Sequence, residues 1–168
     1  MRGATLLFAV AAVPGVAEAL GGQAATSPGQ QVAASQNPFV GTWTANLSKS
    51  KRHPNHQFQS ATIEFAVKGD TVTLTHGGVN AAGQAETGTL TFEADGKERP
   101  VSEQAPGVVA MARWVGSHVL ETGAKKDGQT IGRGKYEVSA DGKTLTATVS
   151  GLDASGATFE QVIVFDRK

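Results

Sequence analysis

His53 and His56 stand three residues apart in a loop that also carries Lys49, Lys51 and Arg52. Two imidazoles at that spacing begin a metal site, but a third ligand is needed. Pro54 between them also prevents the helical geometry that would bring such a pair onto one face. The plainer reading is a solvated basic loop, with attraction for anions or lipid head groups as the alternative. His76 and His118 fall at strand ends and read as surface histidines. Glu64, Glu86, Glu93, Glu103, Glu121, Glu137 and Glu160 mostly fall at outward strand positions or in loops. No Ser-His-Asp or paired-Glu constellation can be drawn from these spacings. No glycine-rich loop follows a strand to open a helix, so the glycines do not mean nucleotide binding. With no cysteine in the chain, disulfides, thiol catalysis and a Cys-based zinc site are excluded. The residue types therefore point away from an enzyme, and neither a cofactor nor a metal is expected.

The elements that must position these residues are strands. The chain has 168 residues, 21 of them glycine, with 39% hydrophobic residues and no net charge. That length suits one domain with a sizeable core. Neutrality argues against a nucleic-acid partner, because nothing supplies a general attraction to phosphates. The opening run Phe39-Val40-Gly41-Thr42-Trp43-Thr44-Ala45 alternates, with Phe39, Gly41, Trp43 and Ala45 sharing one face. A glycine two residues before a tryptophan lets another part of the backbone approach closely while the indole covers it. Residues 61–68 follow, then a Gly69-Asp70 turn, and Val72 and Leu74 continue the alternation. Gly88, Leu90 and Phe92 oppose Thr87, Thr89 and Thr91, and Asp95-Gly96 turns the chain again. Residues 98–102 read as a weak edge strand because of Pro100. From residue 108 onward, runs at 108–114, 118–124, 129–139, 143–150 and 157–167 are separated by turn signals. Turns every 8–12 residues between alternating runs are the mark of an antiparallel meander. Gly132 and Gly134 share one parity within a strand, where they ease the coiling that a small barrel needs. The prediction is an all-β chain: one antiparallel up-and-down barrel of about 8–10 strands. Its first and last strands pair, with Gly41, Trp43 and Arg167 at the seam. An Arg guanidinium over an indole is worth on the order of 0.5–2 kcal/mol.

The amino terminus reads separately. Residues 1–19 carry Arg2, a short apolar run from Thr5 to Val13, and Ala17-Glu18-Ala19 in small-x-small form, the pattern of a secretory signal peptide. An uncleaved, unstructured terminus is the alternative. Residues 20–37, rich in Gly, Gln, Ala and Ser, read as a flexible leader, and residues 38–168 as the barrel. Export without disulfides fits a bacterial periplasmic or secreted protein, without a membrane anchor and monomeric.

The opening Phe-Val-Gly-Thr-Trp resembles the start of the calycin superfamily, the lipocalins and intracellular fatty-acid-binding proteins. In lipocalins a Gly-x-Trp on the first strand meets an Arg near the end of the last, and Gly41, Trp43 and Arg167 match. Asn46, Lys49-Ser50-Lys51, Ser139-Ala140-Asp141-Gly142-Lys143 and the final Phe165-Asp166-Arg167 further resemble bacterial secreted lipocalin-like proteins. The resemblance covers nearly all of residues 38–168 and implies a barrel that carries a small apolar molecule. Two departures qualify it. Only about a dozen residues lie between Leu47 and Ser60, so the helical lid of the fatty-acid-binding proteins is missing or reduced to a loop. Those proteins also grip a carboxylate with an inward Arg-x-Tyr on the closing strand; the matching positions here are Ile163 and Phe165.

The expected ligand-lining set is Phe65, Leu74, Leu90, Phe92, Met111, Tyr136, Ile163 and Phe165. Tyr136 is its inward polar handle. The faces of residues 108–114 stay open, because Met111 and Arg113 oppose Ala110, Ala112 and Trp114. The expected ligand is a small, neutral hydrophobic molecule, since a carboxylate buried against Ile163 and Phe165 would lose its hydration without compensation. An inward Arg113 would reverse that preference. The alternative is a packed, non-catalytic barrel acting as an interaction or envelope accessory module.

Overall fold

The computed structural model describes residues 37–103, 105–153 and 155–168. The proposed signal peptide and all but the last residue of the proposed leader lie outside them. Ten strands occur: β1 Gly41–Ala45, β2 Phe58–Lys68, β3 Thr71–Asn80, β4 Ala85–Glu93, β5 Arg99–Pro100, β6 Val108–Trp114, β7 Val119–Lys126, β8 Gln129–Val138, β9 Thr144–Leu152 and β10 Thr158–Arg167. All belong to one antiparallel sheet in the order β4-β3-β2-β1-β10-β9-β8-β7-β6-β5. The sheet curls into a half-barrel, and no helix occurs among the described residues.

The sequence seam is present. Trp43 pairs directly with Arg167 across β1 and β10, and the guanidinium carbon sits 4.1 Å from the centre of the buried indole. Arg167 also donates to the carbonyls of Val40, Pro38 and Gly142, while the indole N–H donates to Phe39 O at 2.9 Å. Gly41 has φ +127°, and a β-carbon there would stand 2.9 Å from Arg167 Nη1. The expected close approach is therefore made by a side chain, the guanidinium, rather than by backbone.

Closure is where the fold departs from a complete barrel. With β1 and β10 paired, the free edges belong to β4 and β5 in the middle of the chain. Among the described residues, an isolated bridge between Asp95, just beyond β4, and Arg113 of β6, with Gly96 N–H donating to Ala112 O at 2.8 Å, ties the two sides of the gap together at one end. The reason lies in the stretch from Ala94 to Gly107, where Pro100, Pro106 and the turn glycines Gly96 and Gly107 leave, among the described residues, a two-residue strand and the Asp95 bridge as the β-structure.

Cross-strand rows separate the two faces. Ala112, Thr122, Gly134, Val149 and Gln161 form one row; Trp114, Leu120, Tyr136, Ala147 and Ile163 form the next. Both rows point inward, and all their members except Trp114 are buried. Phe39, Trp43, Ile63, Phe65, Val72, Leu74, Leu145 and Phe165 join Ala112, Leu120, Tyr136, Ala147 and Ile163 in the main core, while Val149 packs with Phe159 in a smaller one. Gly134 is required there: a β-carbon would come within 2.6 Å of Thr122 Oγ1 and 3.0 Å of the Tyr136 ring. This glycine makes room for Tyr136, besides any part it plays in coiling the strand.

Candidate functional site

Five of the expected lining residues, Phe65, Leu74, Tyr136, Ile163 and Phe165, are buried together in the core. Phe65 meets Tyr136 edge-on at 6.4 Å and Phe39 at 5.5 Å, so aromatic rings occupy the middle of the interior. Burial raises the Tyr136 hydroxyl well above the ordinary phenol range, and its partner is Thr122. Tyr136 is thus a neutral hydrogen-bonding group near neutral pH.

Leu90 and Phe92 are placed differently. They lie inward on β4, half-buried against the core, and face the gap that the sheet leaves unpaired. Trp114, also half-buried, stands on β6 across that gap and packs edge-on to Phe39 at 5.2 Å. The gap is therefore rimmed by apolar groups on both sides.

Met111 does not belong to the interior. It shares the row Met111-Gly123-Arg133-Ser150-Glu160 on the outer face. The open parity of β6 is decided by Val108 and Ala112, which are buried, so Met111 and Arg113 take the other side. Arg113 cannot serve as an inward anchor: its Nε and Nη2 donate to Glu121 Oε2 at 2.9 and 2.7 Å on the outer face.

The basic loop after β1 is ordered by backbone pairing. Lys51 bridges Val162, with N–H···O contacts of 2.7 and 2.8 Å in both directions, so the loop runs along β10. His56 then stacks on Phe159 at 4.3 Å, with His53 5.5 Å from His56. Burial, and secondarily the nearby His53, hold the His56 imidazole below its usual pKa. The two rings pack as aromatics, and no group of three metal-ligating side chains exists among the described residues. His76 is a correction to the sequence reading. β3 continues through it to Asn80, and the ring lies inward and half-buried over Gly88, where a β-carbon would be 2.6 Å from it. Glu86 also faces this side and accepts from Asn80 Nδ2 at 2.7 Å.

A second concavity lies outside. A groove of about 560 Å³ runs over the outer face of β6 to β9, lined by Val109, Met111, Gly123, Arg133, Thr148 and Ser150 among others. Sequence reasoning missed it because it sought a pocket among apolar positions. The available signal was Gly123, a glycine at outward parity between Glu121 and Lys125.

Neither a family model nor a curated protein matches the chain. Among solved structures, a fatty-acid-binding protein of Schistosoma mansoni in complex with arachidonic acid is similar over 80% of this chain and 99% of its own, at 16% identity and TM-score 0.52. The zebrafish ileal bile acid-binding protein complexed with cholic acid is similar over 78% and 99%, at 16% identity and TM-score 0.49. Lobster apocrustacyanin A1 is similar over 80% and 63%, at 12% identity and TM-score 0.43. The likeness is one of fold.

Proposed function

We propose that this protein binds a small, neutral hydrophobic molecule, admitted between β4 and β6, and catalyses no reaction. The observation that carries this reading is the apolar rim of Leu90, Phe92 and Trp114 on the unpaired side of an apolar interior. A guest enters there by parting two edges that one bridge holds together. Inside it meets Tyr136 and Thr122 as hydrogen-bonding groups, with no inward cation among the residues around Ile163 and Phe165. A carboxylate would therefore be desolvated without a partner, at a cost of several kcal/mol. The amino-terminal pattern adds the proposal that the protein is exported, to a periplasm or beyond, and works there as a monomer without cofactor.

A second reading is favoured by the packing. Most of the inward apolar side chains already touch one another in one cluster, with Val149 and Phe159 in a second, which suits a filled barrel that acts through its surface as an interaction or envelope accessory module. Amide and side-chain NMR during titration with decanol separates the two. Shifts at Leu90, Phe92, Trp114 and Tyr136 are expected for a guest inside the half-barrel. Saturating decanol that moves none of them leaves the filled-barrel reading in its place.

A further inference from the structure

The groove on the outer face is built unlike the rest of that surface. Its lining carries four cations, Arg113, Lys125, Arg133 and Lys135, against two carboxylates, Glu98 and Glu121. Three of the cations are engaged: Arg113 with Glu121, Lys125 with Glu98 and Lys135 with Glu137. Arg133 makes no ion pair among the described residues, and it is exposed at the centre of β8. On one side its cross-strand neighbour is Ser150; on the other it is Gly123, with Met111 beyond.

Gly123 is the informative residue. Glycine weakens a strand, and here nothing structural demands it. Its φ is not in the left-handed region, and a β-carbon would meet Met111 Cγ at 3.6 Å and Sδ at 3.7 Å, ordinary contacts. Gly134, on the facing strand, shows the opposite case, where a β-carbon collides. What a side chain at 123 would do is fill the notch between Arg133 and Met111. The notch therefore joins an unengaged guanidinium to an apolar floor of Met111 and Val109, two strands or about 10 Å away.

We propose that this groove is a binding site for a small amphiphilic anion. Its charged head takes the Arg133 guanidinium, with the Ser150 hydroxyl beside it, and its apolar body lies over Gly123 onto Met111 and Val109. A volume of about 560 Å³ suits a single small molecule. The net positive lining selects the sign of the charge. The site is separate from the interior proposed for neutral molecules and goes beyond that reading: a wall of the sheet divides the two.

Decanoate, used below its micellar concentration, is the probe, and decanol is its neutral counterpart. With the full chain, decanoate shifts the NMR resonances of Met111, Gly123, Arg133 and Ser150, and binding weakens as salt is added. R133Q weakens decanoate about tenfold or more, the loss of one charge-assisted contact. G123V occupies the notch and abolishes binding, while G123A, whose β-carbon fits by ordinary contact, weakens it and covers the case in which the valine variant does not fold. Unchanged decanoate affinity in R133Q and in the folded Gly123 variant overturns the proposal. Shifts at Tyr136 and Ile163 in place of the groove residues overturn it too, by putting the anion inside. Groove shifts with an acidic peptide but none with decanoate replace the ligand class. The decanol titration of the interior is read from different residues, so failure of one reading leaves the other standing.

Discussion

Trp43 concentrates more of this structure than any other side chain: it is fully buried, hydrogen-bonded to Phe39 O and covered by Arg167. Trp43→Ala is expected to cost about 3–5 kcal/mol in urea denaturation, the range for emptying a large aromatic site in a core. Arg167→Met keeps the cover but loses the donors to Val40, Pro38 and Gly142, so it falls between wild type and Trp43→Ala. His56 provides the second residue-scale expectation. Its pKa is lowered in the fold by burial first and by His53 second, while Asp153 opposes the shift. The unfolded loop then binds more protons than the folded one, so stability rises with pH in this window. The stabilisation is present above the ordinary imidazole value of 6.5 and is lost as pH falls from there through the folded pKa. Other charges nearby are Lys51, Arg52 and Asp153, the last of which is linked to Asn55. Acidification should lower the amide protection factors at residues 51–57, that is, exchange relative to its intrinsic rate at each pH, and weaken ring contacts between His56 and Phe159. Protection factors that are flat between pH 7 and 5 would show that the stack tolerates imidazolium.

At the scale of elements, two glycines of neighbouring strands make a controlled pair. Gly134→Ala forces a β-carbon onto Thr122 and Tyr136, an overpacking expected to cost about 1–3 kcal/mol. Gly123→Ala meets only ordinary contacts and is expected to be neutral or to stabilise by up to about 1 kcal/mol, as glycine is a poor strand residue. Denaturation of both variants side by side checks the assignment of faces, since exchanged outcomes would mean exchanged faces. Strand order was largely legible beforehand: alternating runs, turn glycines and the weak edge strand around Pro100 appear where the sequence puts them. The fate of β6 was not, because a run of Val, Ala, Met, Arg and Trp has apolar residues on both parities. Its face is settled by pairing, which sets Ala112 opposite Thr122 in a buried row.

For the molecule as a whole, the sheet leaves its free edges in the middle of the chain, not at its ends. β1 and β10 are joined through three residue pairs and the Arg167 contacts, whereas among the described residues the chain just beyond β4 meets β6 through the Asp95–Arg113 bridge. Hydrogen exchange along β4 is expected to be faster than along β2 or β9, whose backbones are paired on both sides. Equal protection would mean that the gap is closed in solution. Removal of residues 20–36 is expected to leave the melting temperature nearly unchanged, because that composition offers little apolar area to bury. A fall of many degrees would mean that the segment docks on the barrel.

The amino-acid sequence by itself determined the class of the fold and the seam. Period-two patterning fixes which residues share a face, and a Gly-x-Trp with a distant Arg brings together groups whose attraction does not depend on the path between them. It also determined the absence of cysteine chemistry, which is a matter of composition. Only the tertiary structure decided where the sheet stays open, which apolar positions pack against one another, and which side of β6 is outside. Those questions turn on edge pairing and on volumes shared between distant strands, and neither leaves a trace in local periodicity. Gly123 and Gly134 make the difference plain. Both interrupt a strand in the same way, yet one makes room for a tyrosine in the core and the other leaves a notch beside an arginine, because their neighbours come from other strands.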